Sequence, residues 1–231
     1  MHPRHLADLR APRARSAIYS PARHCIRRWH LVISGFTQRE GRPDGSQLLW
    51  SMLRQYDVGG NGTSTALRPW NSPWDDFAEL IWRFRPLDAA PEIHVYAYSW
   101  GAGWGFPRLA SELAKRSLAI DTAVLSDPVY RHPLWSLSWL SLLSLPRVVA
   151  PRNVREVWSF FQRENRPAGH QVVAADPACT IVHAGQRASA THAYMDDLPA
   201  YYQRSLRIAS EAAERGYRKS NDPAPPRSEA D

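Results

Sequence analysis

The sequence predicts an α/β protein with a doubly wound, mostly parallel sheet. Three observations predict it. Short apolar runs rich in β-branched and aromatic residues recur at 30–34, 93–98 and 122–125; segments of helical period lie between them; and small or turn-forming residues stand where each run stops. Strands alternating with helices imply parallel pairing through right-handed crossovers. In such sheets ligand sites lie beyond the carboxyl ends of the strands, so the residues just after each strand are the ones to examine.

Taken in order, His30-Leu31-Val32-Ile33-Ser34 is a compact apolar run that stops at Gly35 and reads as a buried strand. A helix is expected from Gln47 to Tyr56, where Leu48, Leu49, Met52 and Leu53 share a face. Thr65-Ala66-Leu67 is a weaker candidate strand before Pro69. Ser72-Pro73-Trp74-Asp75 predicts a helix start, with Ser as N-cap, Pro at the first helical position and an acid at the third. Phe77, Leu80, Ile81 and Phe84 continue it at i, i+3, i+4 and i+7. Ile93 to Tyr98 is the next strand and leads through Ser99 into a helix on which Phe106, Leu109 and Leu113 align. Thr122 to Leu125 forms a strand ending at Ser126-Asp127-Pro128. Val154 to Phe161 and Cys179 to Val182 supply two more, and a closing helix is expected from Leu198 to Ala213.

A chain of 231 residues fits one domain and can bury roughly 70% of its unfolded surface. Residues 1–26 read as a basic arm, 27–215 as the folded domain, and 216–231 as a tail whose Pro-, Ser- and Asn-rich composition buries too little apolar surface to order itself. The net charge of +7 is local. Residues 1–28 hold seven arginines against one aspartate, leaving +1 for the rest. A nucleic-acid face needs a basic stripe interleaved with base-reading groups, and the body of the chain has none, so no nucleic-acid partner is expected. Cys25 and Cys179 lie far apart and in no metal-spaced cluster, so free thiols are the default and one disulfide the alternative. No run approaches eighteen apolar residues, and the arm lacks the apolar core of a secretory signal. A cytoplasmic location is expected, with an amphipathic transit peptide as the alternative. The basic arm leaves contact with an anionic membrane surface as a weaker expectation; oligomeric state is not legible.

The chemistry centres on Ala97-Tyr98-Ser99-Trp100-Gly101. A serine between a strand and a helix needs a sharp turn with small residues two positions to either side. That turn exposes Oγ above the sheet and points the helix N-terminus at developing negative charge. The glycines of Gly101-Ala102-Gly103-Trp104-Gly105 permit close approach of helix to sheet. The plain alternative is a serine N-cap in a strand–helix turn. This pentapeptide, in this position, resembles the nucleophile elbow of the α/β-hydrolases. Ala97 stands where the family usually has glycine. The resemblance spans roughly residues 28–214 and rests on order and spacing. It implies a minimal α/β-hydrolase fold that lacks the family's N-terminal hairpin, beginning at what would be the family's third strand.

The resemblance also implies a triad in the order nucleophile, acid, histidine. Asp127 abuts the strand after the Ser99 helix and is the candidate acid, able to hold an imidazole in one tautomer. Its plain reading is Asp-Pro turn chemistry. Glu164 is the alternative acid, after the following strand, where most members of the family place theirs. Among nine histidines, His2, His5 and His24 lie in the arm, His30 and His94 lie at or within strands, and His183 ends the last strand. His132 and His170 are weak alternatives. His192, just before the closing helix, stands where the resemblance implies the base. It further implies an oxyanion hole from the backbone N–H groups of Phe36 and Trp100, with Gly35 permitting the approach.

The uncharged segment 133–146 is too short to span a bilayer. It reads equally as a lid over an acyl site or as a buried crossover. The expected function is serine hydrolysis of carboxylic esters, including lipid or thioester acyl groups, of a small-molecule substrate. The alternative is a non-catalytic binding or scaffold protein on the same fold. No cofactor and no metal are expected, because no ligand-spaced cluster is visible in the sequence.

Overall fold

The computed structural model describes residues 25–36, 44–57, 62–132 and 147–221. The expected lid, 133–146, lies outside the described residues, as do 1–24 of the arm and 222–231 of the tail. The chain runs β1 (Arg28–Ser34), α1 (Gly45–Leu53), β2 (Thr63–Pro69), α2 (Trp74–Arg83), β3 (Glu92–Tyr98), α3 (Phe106–Ala114), β4 (Ile120–Ser126), β5 (Val148–Ala150), β6 (Val154–Phe161), β7 (Val172–Ala174), β8 (Ile181–Val182), β9 (Gln186–Arg187) and α4 (Pro199–Asn221).

The main sheet has the order β2-β1-β3-β4-β6-β8, with β9 also on β6, and each of these pairs is parallel. β5 and β7 form a small parallel pair of their own. All seven residues of β1 are buried, as befits a central parallel strand covered on both faces. Alternation sends Leu31 and Ile33 to one face, against Trp74, Phe77 and Ile81 of α2 and Phe106, Leu109 and Leu113 of α3. It sends Val32, Tyr96 and Val124 to the other, against Leu49 and Leu53 of α1 and Tyr201 and Ile208 of α4. The class is therefore α/β, with a parallel sheet covered on both faces.

Several boundaries differ from the sequence expectation, each for a local reason. The strand expected at 65–67 spans all of Thr63–Pro69 and pairs residue for residue with β1. α1 ends at Leu53, and a tighter 3₁₀ turn, Arg54–Asp57, completes the expected helix. Its cap is Asp44, whose side chain accepts the Gln47 N–H at 2.9 Å. Ser72 does not cap α2. Its N–H and its hydroxyl both donate to the Pro69 carbonyl, closing the turn after β2, and Pro73 takes the cap position. Phe84 lies past the end of α2 and is exposed. Cys179 sits in a turn, so the last expected strand shrinks to Ile181–Val182; both cysteines are free. α4 continues to Asn221, eight residues past its expected end at Ala213.

One polar row crosses the core. His30 and His94 pair in register across β1 and β3 and stack at 5.3 Å. Both are buried, and His30 Nδ1 lies 3.0 Å from the Tyr96 hydroxyl. Burial, then the neighbouring His94, pushes the His30 pKa well below its usual value. This row lies toward the amino-terminal ends of the strands, away from Ser99. At the same end Glu92 binds Arg28 of β1 at 2.9 Å and Arg215 of α4, fastening the far part of α4 to the sheet.

Candidate active site

Ser99 follows β3 directly and has φ of 54°, the left-handed region that a side chain enters at a cost of about 1–2 kcal/mol. Four backbone bonds hold it there. Its N–H donates to the Ser126 carbonyl at 3.0 Å, and its own carbonyl accepts from the N–H groups of Ala102, Gly103 and Val129 at 2.9–3.1 Å. The following turn, Gly101–Gly105, is a single π-helical turn that leads into α3. A Cβ on Gly101 would lie 2.5 Å from the Ile33 carbonyl oxygen, and one on Gly103 would lie 1.8 Å from that of Val129. Only glycine lets this turn reach the strand ends; the turn expected to expose Oγ is a packing contact, with Gly101, Ala102, Gly103 and Gly105 buried and Ser99 itself 4% exposed.

Ser99 Oγ lies 2.9 Å from His192 Nε2. His192 Nδ1 lies 2.6 Å from Asp127 Oδ2. The carboxylate oxygen can only accept, so Nδ1 carries the proton and Nε2 presents its lone pair to the serine hydroxyl. The histidine opens the 3₁₀ turn His192–Asp197 before α4 and is held at several points. Its N–H donates to Asn165 Oδ1 at 2.8 Å, its carbonyl accepts the Tyr98 hydroxyl at 2.7 Å, and its ring stacks on that of Tyr98 at 5.2 Å. Burial, then the charge of Asp196, pushes the Tyr98 phenol well above its usual pKa, so it stays a donor.

Asp127 follows β4, also in the left-handed region at φ of 42°, and is fully buried. Besides His192, its carboxylate accepts the Gln162 N–H at 3.0 Å on Oδ1 and Gln162 Nε2 at 3.0 Å on Oδ2. Gln162 is itself fully buried. Its amide nitrogen also reaches the carbonyls of Asn165 and Pro167, and its amide oxygen accepts the N–H groups of Glu164 and Asn165. A Cβ on Gly169 would lie 2.2 Å from Asp127 Oδ1, so that glycine walls the carboxylate.

Of the residues named from the sequence, the structure brings Ser99, Asp127 and His192 into one hydrogen-bonded chain. Glu164 is not part of it: its side chain is 40% exposed and lies 3.4 Å from Arg187. His170 accepts the Tyr130 N–H, and His183 pairs with Glu156. The Phe36 and Trp100 rings lie 4.3 Å apart, tilted by 50°, with Trp70 beside them, and a Cβ on Gly35 would lie 3.1 Å from Ser99 Cβ. The Gly35–Phe36 backbone therefore runs alongside the serine.

Tyr98, Gln162, Asn165 and Gly169 were not singled out from the sequence. Only Gln162 had a usable signal, since it directly follows β6, the same rule that pointed to Ser99 and Asp127. Among the described residues no group of three or more His, Cys, Asp or Glu side chains could hold a metal ion. No helix among them is long and apolar enough to cross a membrane.

No protein-family model and no curated protein matches the sequence. Among solved structures, the chain is similar to RedJ with a polyethylene glycol molecule in its active site, at a TM-score of 0.41 and 10% identity. That alignment covers 90% of this chain and 96% of that one. It is also similar to the RedJ thioesterase of the prodiginine biosynthetic pathway in Streptomyces coelicolor, at 0.41 and 12% identity, covering 90% and 91%. A likeness of this strength assigns neither family nor activity, and what the site does has to be read from its own geometry.

Proposed function

We propose that the chain is a serine hydrolase of the α/β-hydrolase type that cleaves carboxylic esters, thioesters included. One observation carries the reading: the chain of bonds from Ser99 through His192 to Asp127, at 2.9 and 2.6 Å, beyond the carboxyl ends of two neighbouring parallel strands. A serine is a weak nucleophile unless an adjacent base takes its proton. Here the imidazole is aligned by a buried carboxylate on one nitrogen and stacked on Tyr98.

In this reading Ser99 Oγ forms a bond to the acyl carbon as His192 Nε2 takes the hydroxyl proton. The carbonyl oxygen gathers charge beside the backbone N–H groups of Phe36 and Trp100. Collapse breaks the bond to the alcohol or thiol, which leaves with the proton from His192. Water, activated by the same base, then releases the acid and restores Ser99. Asp127 orients His192 and stabilises its cationic form.

The test is labelling with a fluorophosphonate, followed by turnover of 4-nitrophenyl esters of increasing acyl length. Labelling that is lost in Ser99→Ala, together with ester turnover lost in the same variant, is the expected result. Folded wild-type protein that takes no label and cleaves no ester would refute the reading and leave a binding protein on the same scaffold.

A further inference from the structure

A groove of about 420 Å³ opens beside the Ser99 turn, between that turn, α3, the segment after β4 and the start of β5. Such a volume suits a small organic ligand. Its lining is cationic. Arg108 comes from α3, Arg131 from the segment after β4, and Arg147 from the residue before β5. The one acid in the lining, Glu112, is already taken by Lys115 at 2.7 and 2.8 Å and by Arg116 at 3.9 Å. Arg108 and Arg147 meet no carboxylate among the described residues. The Arg108 guanidinium lies over the Trp104 ring at 3.9 Å, and that of Arg131 lies over the same ring at 4.8 Å. Aromatic support under the Arg108 guanidinium fixes the group and leaves its N–H edge for an anion.

The groove adjoins the site. Gly103 lines it, and its N–H is bonded to the Ser99 carbonyl at 2.9 Å. Arg131 also lies over Trp70 and Trp100, the latter next to Ser99, at 4.8 and 5.3 Å. Burial, then the like charge of Arg108, lowers the Arg131 pKa.

We propose that this groove is an anion subsite, and that the ester hydrolysed at Ser99 carries a phosphate bound there. A cluster of guanidinium groups matches a phosphate dianion better than a single carboxylate, and the forked donors of Arg108 and Arg147 fit its oxygens. The proposal rests on the hydrolase reading for its chemistry but not for its binding.

The test therefore has two parts. The first measures calorimetric binding of inorganic pyrophosphate to the full chain and to the Arg108→Gln/Arg147→Gln variant. Both substituted side chains are exposed and outside the Ser99 chain of bonds. Binding by the wild type that weakens about a hundredfold in the variant is expected, at roughly tenfold per arginine lost. The second compares kcat/KM for 4-butyryloxyphenyl phosphate with that for neutral 4-methoxyphenyl butyrate, and for the 4-nitrophenyl esters of 4-phosphonobutyrate and butyrate. The first pair places the anion on the leaving group, the second on the acyl chain. At least one anionic ester should be favoured about tenfold or more, with the preference lost in the variant and the neutral rates unchanged within about twofold.

Neutral esters cleaved with no anionic preference, or with a preference that survives both substitutions, would overturn the substrate assignment. Absence of pyrophosphate binding would overturn the subsite whatever the enzyme does. If pyrophosphate binds through these arginines while no ester is cleaved, the subsite stands and the hydrolase reading falls.

Discussion

Asp127→Asn probes the site at its most connected group. The carboxylate accepts three N–H groups: one from the Gln162 backbone on Oδ1, and two on Oδ2, from Gln162 Nε2 and His192 Nδ1. An asparagine has one accepting oxygen to offer. Placed at the Oδ2 position, that oxygen keeps two of the three bonds and turns the NH2 against one backbone N–H. Placed at Oδ1, it keeps one bond and confronts two donors. Each buried donor left without an acceptor costs about 1–3 kcal/mol, so the first orientation wins. It preserves the His192 tautomer, and what is lost is the negative charge facing the imidazolium. A bond to a charged partner is worth about 1.5–3 kcal/mol, which corresponds to a fall in kcat of roughly 10²-fold. An amide turned the other way, with the wrong tautomer, would cost about 10⁴-fold. The orphaned Gln162 N–H should lower the melting temperature by about 2–10 °C. The assay is ester hydrolysis at saturating substrate beside a thermal melt, with Glu164→Gln as the control. The exposed Glu164 should change the rate less than about twofold. An Asp127→Asn enzyme within fivefold of wild type, or a larger loss in Glu164→Gln, would refute the assignment of Asp127 as the acid.

Two further outcomes follow from neighbouring groups. Gly169→Ala drives a methyl to 2.2 Å from Asp127 Oδ1; we expect at least tenfold lower activity and about 1–3 kcal/mol lower stability in denaturant melts, and an unchanged enzyme would contradict the packing. Asp196 is a carboxyl whose pKa burial, then Asp197, raises to about 6. Its folded value lies above the unfolded one, so its protonated form stabilises the fold fully below about pH 4, and that contribution is lost as the pH rises through about 6. Asp196→Asn should therefore gain on wild type by up to about 3 kcal/mol between pH 4 and 7, read as a widening gap in melting temperature. A gap that narrows with pH would reverse the sign of the argument.

Much of this architecture is legible in the sequence because parallel strands write themselves as continuous apolar runs. β1, β3 and β4 carry such runs, β6 is interrupted by Arg155 and Glu156, and the residues that follow β3 and β4 are the ones that meet His192. Two kinds of information are not local. The first is support: Gln162, Asn165 and Tyr98 act on residues 35, 27 and 94 positions away, and apart from the place of Gln162 just after β6 nothing in their own neighbourhoods marks them. The second is brevity: β8 and β9 hold two residues each, too few to show any period. The Ser72 position has the same origin, since its hydroxyl can cap a helix by accepting an N–H or close a turn by donating to a carbonyl, and the bond to Pro69 depends on the turn that β2 imposes.

The span of the site has a consequence for how the protein is made. Ser99 and His192 stand 93 positions apart, and Asp127 and His192 stand 65 apart. Their meeting requires β6 to have paired and α4 to have docked, since His192 enters the site only on the turn that leads into that helix. Long-range closures of this kind come late in folding, after the local segments have formed. The reactivity of one serine is therefore a clock for the whole chain. A phosphonate added at intervals during refolding would time the arrival of the last helix, independently of any signal from secondary structure.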